Sequence, residues 1–123
     1  MANIKEYRFE ILTSDTAGRV VQTYTNYSIN GRILKIEHLT GNESANGSLS
    51  IGISGQISEI ILQKNGTANA NSTHYPFVYL NDNTNTTGSP QSFGLRAINN
   101  PIWVGASGIG NTKVISGVVI YYI

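Results

Sequence analysis

No stretch of this chain sustains the apolar period of a useful amphipathic helix. Apolar and polar residues instead alternate in strand-length segments, broken by Gly, Asn or Pro at intervals of about 8–12 residues. A chain patterned this way can bury its apolar residues only by pairing strands and stacking the resulting sheets. The sequence therefore predicts an all-β fold, a single-domain antiparallel β-sandwich or jelly roll spanning 1–123, with residues 1–6 as a candidate N-terminal arm.

Tyr7, Phe9 and Ile11 alternate with charged residues, predicting a first strand over Glu6–Leu12. The cluster Ser14–Gly18 is a turn, and Arg19–Tyr24 is a second strand of β-branched and aromatic residues. In Tyr27–Leu39 the dipeptide Asn30-Gly31 is the strongest local hairpin signal, because a type I′ turn needs φ > 0 at both central residues. Gly41–Gly47 reads as a polar loop without an apolar anchor. Leu49, Ile51 and Ile53 then alternate with Ser48, Ser50, Gly52 and Ser54, a strand whose second face carries almost no side chain. Ile57–Gln63 is a strand, and His74–Leu80, interrupted by Pro76, is an edge strand or a strand start. Asn81–Ser92 is a polar surface loop. Short apolar segments at Phe93–Ile98 and Pro101–Val104 and a glycine-rich turn at Gly105–Asn111 lead to a strong terminal strand, Lys113–Ile123. So apolar a terminus has to be paired, within its own sheet or with a neighbour.

Size and composition exclude several classes of function. The chain has 123 residues, one domain's worth, with a formal net charge of +1 and only 12% charged residues. Its eight basic residues are scattered, several beside an acid, so no basic field is available to hold a phosphate backbone. Nucleic acid is not an expected partner. Cysteine is absent, which removes disulfides and thiolate chemistry. No signal-peptide core and no window of roughly 20 apolar residues is present, so membrane insertion and export by the common route are not expected. Synthesis in the cytoplasm follows as the expectation.

Candidate chemistry is sparse. Glu6, Glu10, Glu37, Glu43, Glu59 and Asp82 fall mostly on outward strand positions or in loops. His38 and His74 lack the close His or Cys spacing of a zinc site and read as hydrogen-bonded structural residues. No Gly-x-Ser-x-Gly elbow occurs, and Gly105–Gly110 lacks the Lys and the helix of a phosphate loop. Asn81–Asn85 offers one carboxylate, Asp82, where calcium sites use several. No catalytic residue, metal or cofactor is predicted. Tyr24, Tyr27, Tyr75, Tyr79, Tyr121 and Tyr122 could serve as core, as an interface rim or as a sugar-stacking platform.

The order of features has a familiar form. It runs from the turn ending at Gly18 through Asn-Gly-Arg-Ile-Leu-Lys-Ile (Asn30–Ile36), Ser-Leu-Ser-Ile (Ser48–Ile51), Ser54-Gly55 and Tyr75-Pro76. Ile102–Val104 and a terminal Lys-Val-Ile-Ser-Gly-Val-Val-Ile-Tyr-Tyr (Lys113–Tyr122) complete it. This resembles small virion proteins of tailed double-stranded DNA viruses, including head-decoration (cement) proteins. The resemblance departs at the Asn-rich stretches Gly41–Gly47 and Asn81–Pro90. It implies a subunit on the outside of an assembled virion head, a trimer bound to the major capsid protein and bridging capsomers. For capsid contact the sequence singles out Ile4 and Tyr7 in the segment Ala2–Tyr7, whose alternative role is a first strand of the domain's own sheet. For self-association it singles out Tyr121 and Tyr122. Competing readings are a carbohydrate- or receptor-binding head-fibre or adhesin module, and a filament subunit that donates its terminal strand.

Overall fold

The computed structural model describes residues 3–55, 59–66, 70–80 and 92–123. The expected loop at Asn81–Ser92, with its Asn81–Asn85 calcium reading, and the start of the strand at Ile57 therefore lie largely outside the described residues. Those described contain strands and no helix. In chain order these are β1 (Lys5–Phe9), β2 (Leu12–Thr13), β3 (Val20–Tyr24), β4 (Ile29–Leu39), β5 (Ser48–Ile53) and β6 (Glu59–Asn65). They continue with β7 (Ser72–His74), β8 (Phe77–Leu80), β9 (Ser92–Asn100), β10 (Ile102–Ser107), β11 (Val114–Ile115) and β12 (Gly117–Tyr122).

All pairings are antiparallel. The larger sheet runs β1-β12-β4-β9-β8 with β7 also on β4, the second runs β3-β10-β5-β6, and β11-β2 forms a small separate ribbon. Apolar side chains from both main sheets, including Phe9, Ile33, Ile51, Val104 and Ile120, form one buried cluster. The arrangement is all-β and of the β-sandwich kind, two antiparallel sheets sharing one core.

The long strand β4 organises the larger sheet. Along one edge it pairs β12 from Leu39 to Ile33; along the other it pairs β9 at Ile29–Ile33 and β7 at Ile36–His38. Ile29, Ile33, Ile36 and His38 are fully buried, which fixes its register against slippage. The pairing shifts where Tyr121 faces Lys35 and Tyr122 faces Ile33, leaving Leu34 as the extra residue of a bulge.

Asn30-Gly31 is not a hairpin turn: it lies inside β4, paired with Asn99 and Ile98. Gly31 does have positive φ, at 143°. Its use is close approach. A Cβ there would collide with the carbonyl oxygen of Ile123, whose backbone exchanges two hydrogen bonds with Arg32, at 2.9 and 3.0 Å. The glycine thus makes room for the chain's last residue. Gly18 has positive φ in its expected turn; of the turn expected over Gly105–Asn111, Gly105 to Ser107 instead extend β10 against β5, and Gly108 and Gly110 carry the positive φ that follows.

The nearly bare face of β5 has a reason on the neighbouring strand. Trp103 pairs Gly52, and its indole lies where a Cβ on Gly52 would sit. Ile102 and Val104 belong to the core cluster, whereas Trp103 does not, so the ring is buried on the opposite face of β10. Gly52→Ala is expected to lift the ring and cost about 1–3 kcal/mol. Because the chain has a single Trp, the displacement is read directly as a red shift of its fluorescence. An unshifted spectrum with an unchanged melting temperature would contradict this packing.

The segment 41–47 is also anchored. The Ser44 amide donates to the Ile109 carbonyl at 2.8 Å, the Asn42 amide donates to the Val114 carbonyl at 3.0 Å, and Glu43 is buried. The loop is polar, as expected, and what holds it is hydrogen bonding and the buried Glu43. The two carbonyl partners lie in the turn before β11 and at the first residue of β11, far away in sequence.

Candidate functional site

Strict alternation along β12 sends Val118, Ile120 and Tyr122 into the core and Val119 and Tyr121 to the opposite face of the larger sheet. On that face Tyr121 lies between Glu6 of β1 and Lys35 of β4. The β4 bulge adds Leu34 to the same region. Together with Ile4, Tyr75 and Leu95 these residues line an open groove of about 430 Å³. Ile4 is 66% exposed and Tyr75 59% exposed, so its walls are apolar and accessible.

The one cation in the groove is already engaged. Lys35 Nζ lies 3.2 Å from Glu37 Oε1 and 4.7 Å from the centroid of the Tyr121 ring. The Tyr121 hydroxyl comes within 3.5 Å of Glu37 Oε2. Hydrogen bonding to Glu37 raises the Lys35 pKa above its usual value, so the ammonium persists across neutral pH. Apolar walls beside an internally neutralised pair suit a protein surface better than a free anion.

Of the residues singled out from sequence, Ile4 and Tyr121 thus meet in one groove. Tyr7 does not join them. It belongs to β1, paired with Ile120, and packs edge-on against Phe9 and Tyr27 at 5.1 and 5.4 Å between centroids. Its hydroxyl accepts the Asn26 amide at 3.0 Å. Lys5–Tyr7 are therefore part of the sheet, which is the alternative role, and Ile4 immediately precedes it. Tyr122 is only 5% exposed and sits in the core; its pKa is pushed up by burial and then by its hydrogen bond to Tyr27. As a self-association residue Tyr122 is corrected, because the sheet's inner face consumes it. Tyr24 and Tyr27 are exposed elsewhere, and the side chain of Tyr79 lies outside what the structure describes.

A second concentration of polar groups lies at the inner end of the sandwich, where four elements converge. His38 of β4 and Glu43 are both fully buried at their side chains, with Nε2 and Oε1 3.5 Å apart. The carboxylate accepts the Thr40 hydroxyl and, at 2.9 Å, the Gly41 amide. From the second sheet Lys64 of β6 reaches across to His38 Nδ1 at 3.3 Å and to the Ser72 hydroxyl at 2.8 Å. Ser72 in turn lies 2.9 Å from His74 Nε2.

An ammonium can only donate, so the network assigns His38 Nδ1 as acceptor and puts its proton on Nε2, facing Glu43. The Nε2 contact is too long and misaligned to count as a hydrogen bond. Burial first, then the Lys64 charge, lowers the His38 pKa, with Glu43 opposing; the same two causes lower that of His74. Both imidazoles are accordingly neutral at pH 7.

Chemically this cluster is a cross-sheet clamp. Ser72 and His74 stand at nucleophile–base distance, yet Lys64 donates into the same hydroxyl oxygen. Neither residue lines any of the three main grooves among the described residues. No group of three or more His, Asp or Glu among the described residues is placed to hold a metal ion. The hydrogen-bonded structural reading of both histidines fits these contacts. Sequence reasoning missed Glu43, which it placed with the outward or loop acids. The available signal was Thr40-x-x-Glu43 directly after His38, a spacing that lets a carboxylate return to the hydroxyl and amide before it.

Comparison with protein-family models, curated proteins and solved structures found no match to this chain.

Proposed function

We propose that this chain is a structural binding subunit, specifically a decoration protein held on the outside of an assembled virion head and bridging its capsomers. The observation that carries the binding part is the accessible apolar groove in which Ile4, Tyr75 and Tyr121 converge. The titratable side chains of the molecule's buried cluster are spent on one another, which favours action through a surface. The class of partner comes from the sequence resemblance, and the mechanism follows from mass action. A subunit that binds only the assembled shell stabilises that shell in proportion to its occupancy.

Co-sedimentation with empty heads, assembled from a major capsid protein of the genome that encodes this chain, tests the reading. The wild-type chain is expected to pellet with them. Ile4→Asp, a change at an exposed position, is expected to weaken binding by at least about tenfold, the loss typical of one apolar anchor. A wild-type chain that stays in the supernatant sinks the proposal. Wild-type binding that Ile4→Asp leaves unchanged removes the groove from it.

A further inference from the structure

Among the described residues, one edge longer than three residues carries none of the usual protection. Strand β3 ends the second sheet and pairs only β10 among the described residues. Its sequence, Val-Val-Gln-Thr-Tyr, holds no charge, no Pro and no Gly. The other edges are guarded: β1 carries Lys5, Glu6 and Arg8, β6 carries Glu59 and Lys64, and β8 opens directly after Pro76. From Val21 to Tyr24 every residue of β3 is exposed, so the strand is open on both faces as well as at its edge. Val21, at 74%, is the most exposed large apolar residue described.

Beside this edge runs a groove of about 450 Å³ between Val21 and Thr23 on one side and Ile11 to Asp15 on the other. Ile11 is itself exposed. Unpaired backbone at a sheet edge accepts one kind of ligand well, another extended strand, and the groove alongside, apolar at Ile11 and Val21 and polar at Thr13, Asp15 and Arg19, receives that strand's side chains.

We infer that β3 is the self-association edge of this protein and that its occupant is the β3 strand of a second copy. Two such strands meet antiparallel about a two-fold axis, with Gln22 at the centre. Val21 then faces Thr23 of the second copy, a β-branched pair, and the two Gln22 amides face each other. Because β3 is uncharged, pairing it with itself sets no like charges together. The contact is isologous, so it closes at two chains and joins the two four-stranded sheets into one continuous sheet. A five-residue ribbon falls below the roughly 1,200 Å² of a standard interface, so the dimer forms in a concentration-dependent way. The terminal strand, by contrast, has β1 on one side and β4 on the other and has no edge to donate. This inference concerns a different surface from the head-binding groove and does not depend on it.

Two measurements decide it. In analytical ultracentrifugation the wild-type mass is expected to rise with concentration towards twice 13.3 kDa. Val21→Lys, at a solvent-facing position, is expected to hold a single-chain mass with unchanged circular dichroism and melting. The chain has no cysteine, so Gln22→Cys introduces a lone thiol at the axis. Mild oxidation is expected to convert it to a disulfide dimer, whereas Thr16→Cys in the exposed turn remains monomeric. Ile4→Asp is expected to dimerise like wild type, which keeps this outcome separate from head binding. A single-chain wild-type mass up to about 1 mM overturns the inference. So does any oligomer, a trimer included, that survives Val21→Lys.

Discussion

A chain ending at Ser116 is expected not to fold. The truncation removes β12, the strand that joins β1 to β4 at the centre of the larger sheet. With it go Val118, Val119, Ile120 and Tyr122, all buried, whose removal forfeits about 6–12 kcal/mol of burial at 1.5–3 kcal/mol each. A domain of this size is held by only roughly 5–15 kcal/mol in total, so that loss alone consumes most or all of its stability. The backbone consequences add to it. β1 loses its only partner strand among the described residues, and β4 exposes a long edge flanked by buried isoleucines. Such an edge is a template for aggregation, so the truncated chain is expected in the insoluble fraction. Refolded at low concentration, it should show no cooperative thermal transition. The milder Ile120→Ala change, which leaves the pairing intact, should keep the fold and cost about 2–5 kcal/mol. A cooperative, native-like melt from the truncated chain would show that β12 is an addition to the sheet instead of its centre.

The importance of the last strand was legible from its composition, since so apolar a terminus has to be covered. What covers it was not. Pairing between Lys5 and Tyr122 or between Leu39 and Gly117 joins segments too distant for any local pattern to register. The same limit explains Asn30-Gly31. Its dipeptide signal is real in isolation, but the buried Ile29 and Ile33 on either side extend the strand, and the glycine's freedom is used to admit Ile123. Tertiary packing overrode the turn propensity. At β5 the sequence displayed the effect, a lane of Ser, Gly and Ser, while its cause, the Trp103 ring, sits on another strand.

For the candidate site the balance is similar. Ile4 and Tyr121 could be chosen as surface residues because each is apolar or aromatic near a chain end. That they share a groove depends on the bulge at Leu34 and on Tyr75 crossing from the β7–β8 corner, neither of which leaves a periodic trace. Tyr122 was unreadable in the same sense: Tyr121-Tyr122 are equivalent as letters, and only the parity of the strand assigns one to the surface and one to the core. Which strand is left at an edge is likewise a property of topology. Both β3 and β12 read as uncharged β-formers, yet among the described residues only β3 lacks a second neighbour.

Replacing Glu43 by alanine is expected to cost about 2–5 kcal/mol, at about 1–3 kcal/mol for each of the two buried donors it leaves without an acceptor. Glu43 is 2% exposed, and its carboxylate accepts from two groups, the Thr40 hydroxyl and the Gly41 amide, while facing the edge of His38 that carries Nε2–H. Its loss leaves the Thr40 hydroxyl and the Gly41 amide without their acceptor, and it frees the chain between β4 and β5 from β4. Acid should act on the same clamp. His38 has a folded pKa below its unfolded value of 6.5, so the unfolded chain takes up the proton first. Its contribution to stability is therefore complete above about pH 6.5 and is lost as pH falls through the lower folded value. His74, depressed for the same reasons, adds to this in the same direction. Protonated His38 also turns Nδ1 into a donor facing the Lys64 ammonium, so the bond tying β6 to β4 is replaced by repulsion. Urea midpoints at about pH 7.5 and 5.5 should show the wild-type chain markedly weaker at the lower pH, and His38→Gln should flatten that difference. Equal wild-type midpoints at the two pH values, or a Glu43→Ala chain as stable as the parent, would mean that the sheets are held together by their apolar core alone and that the polar cluster merely fills the gap between them.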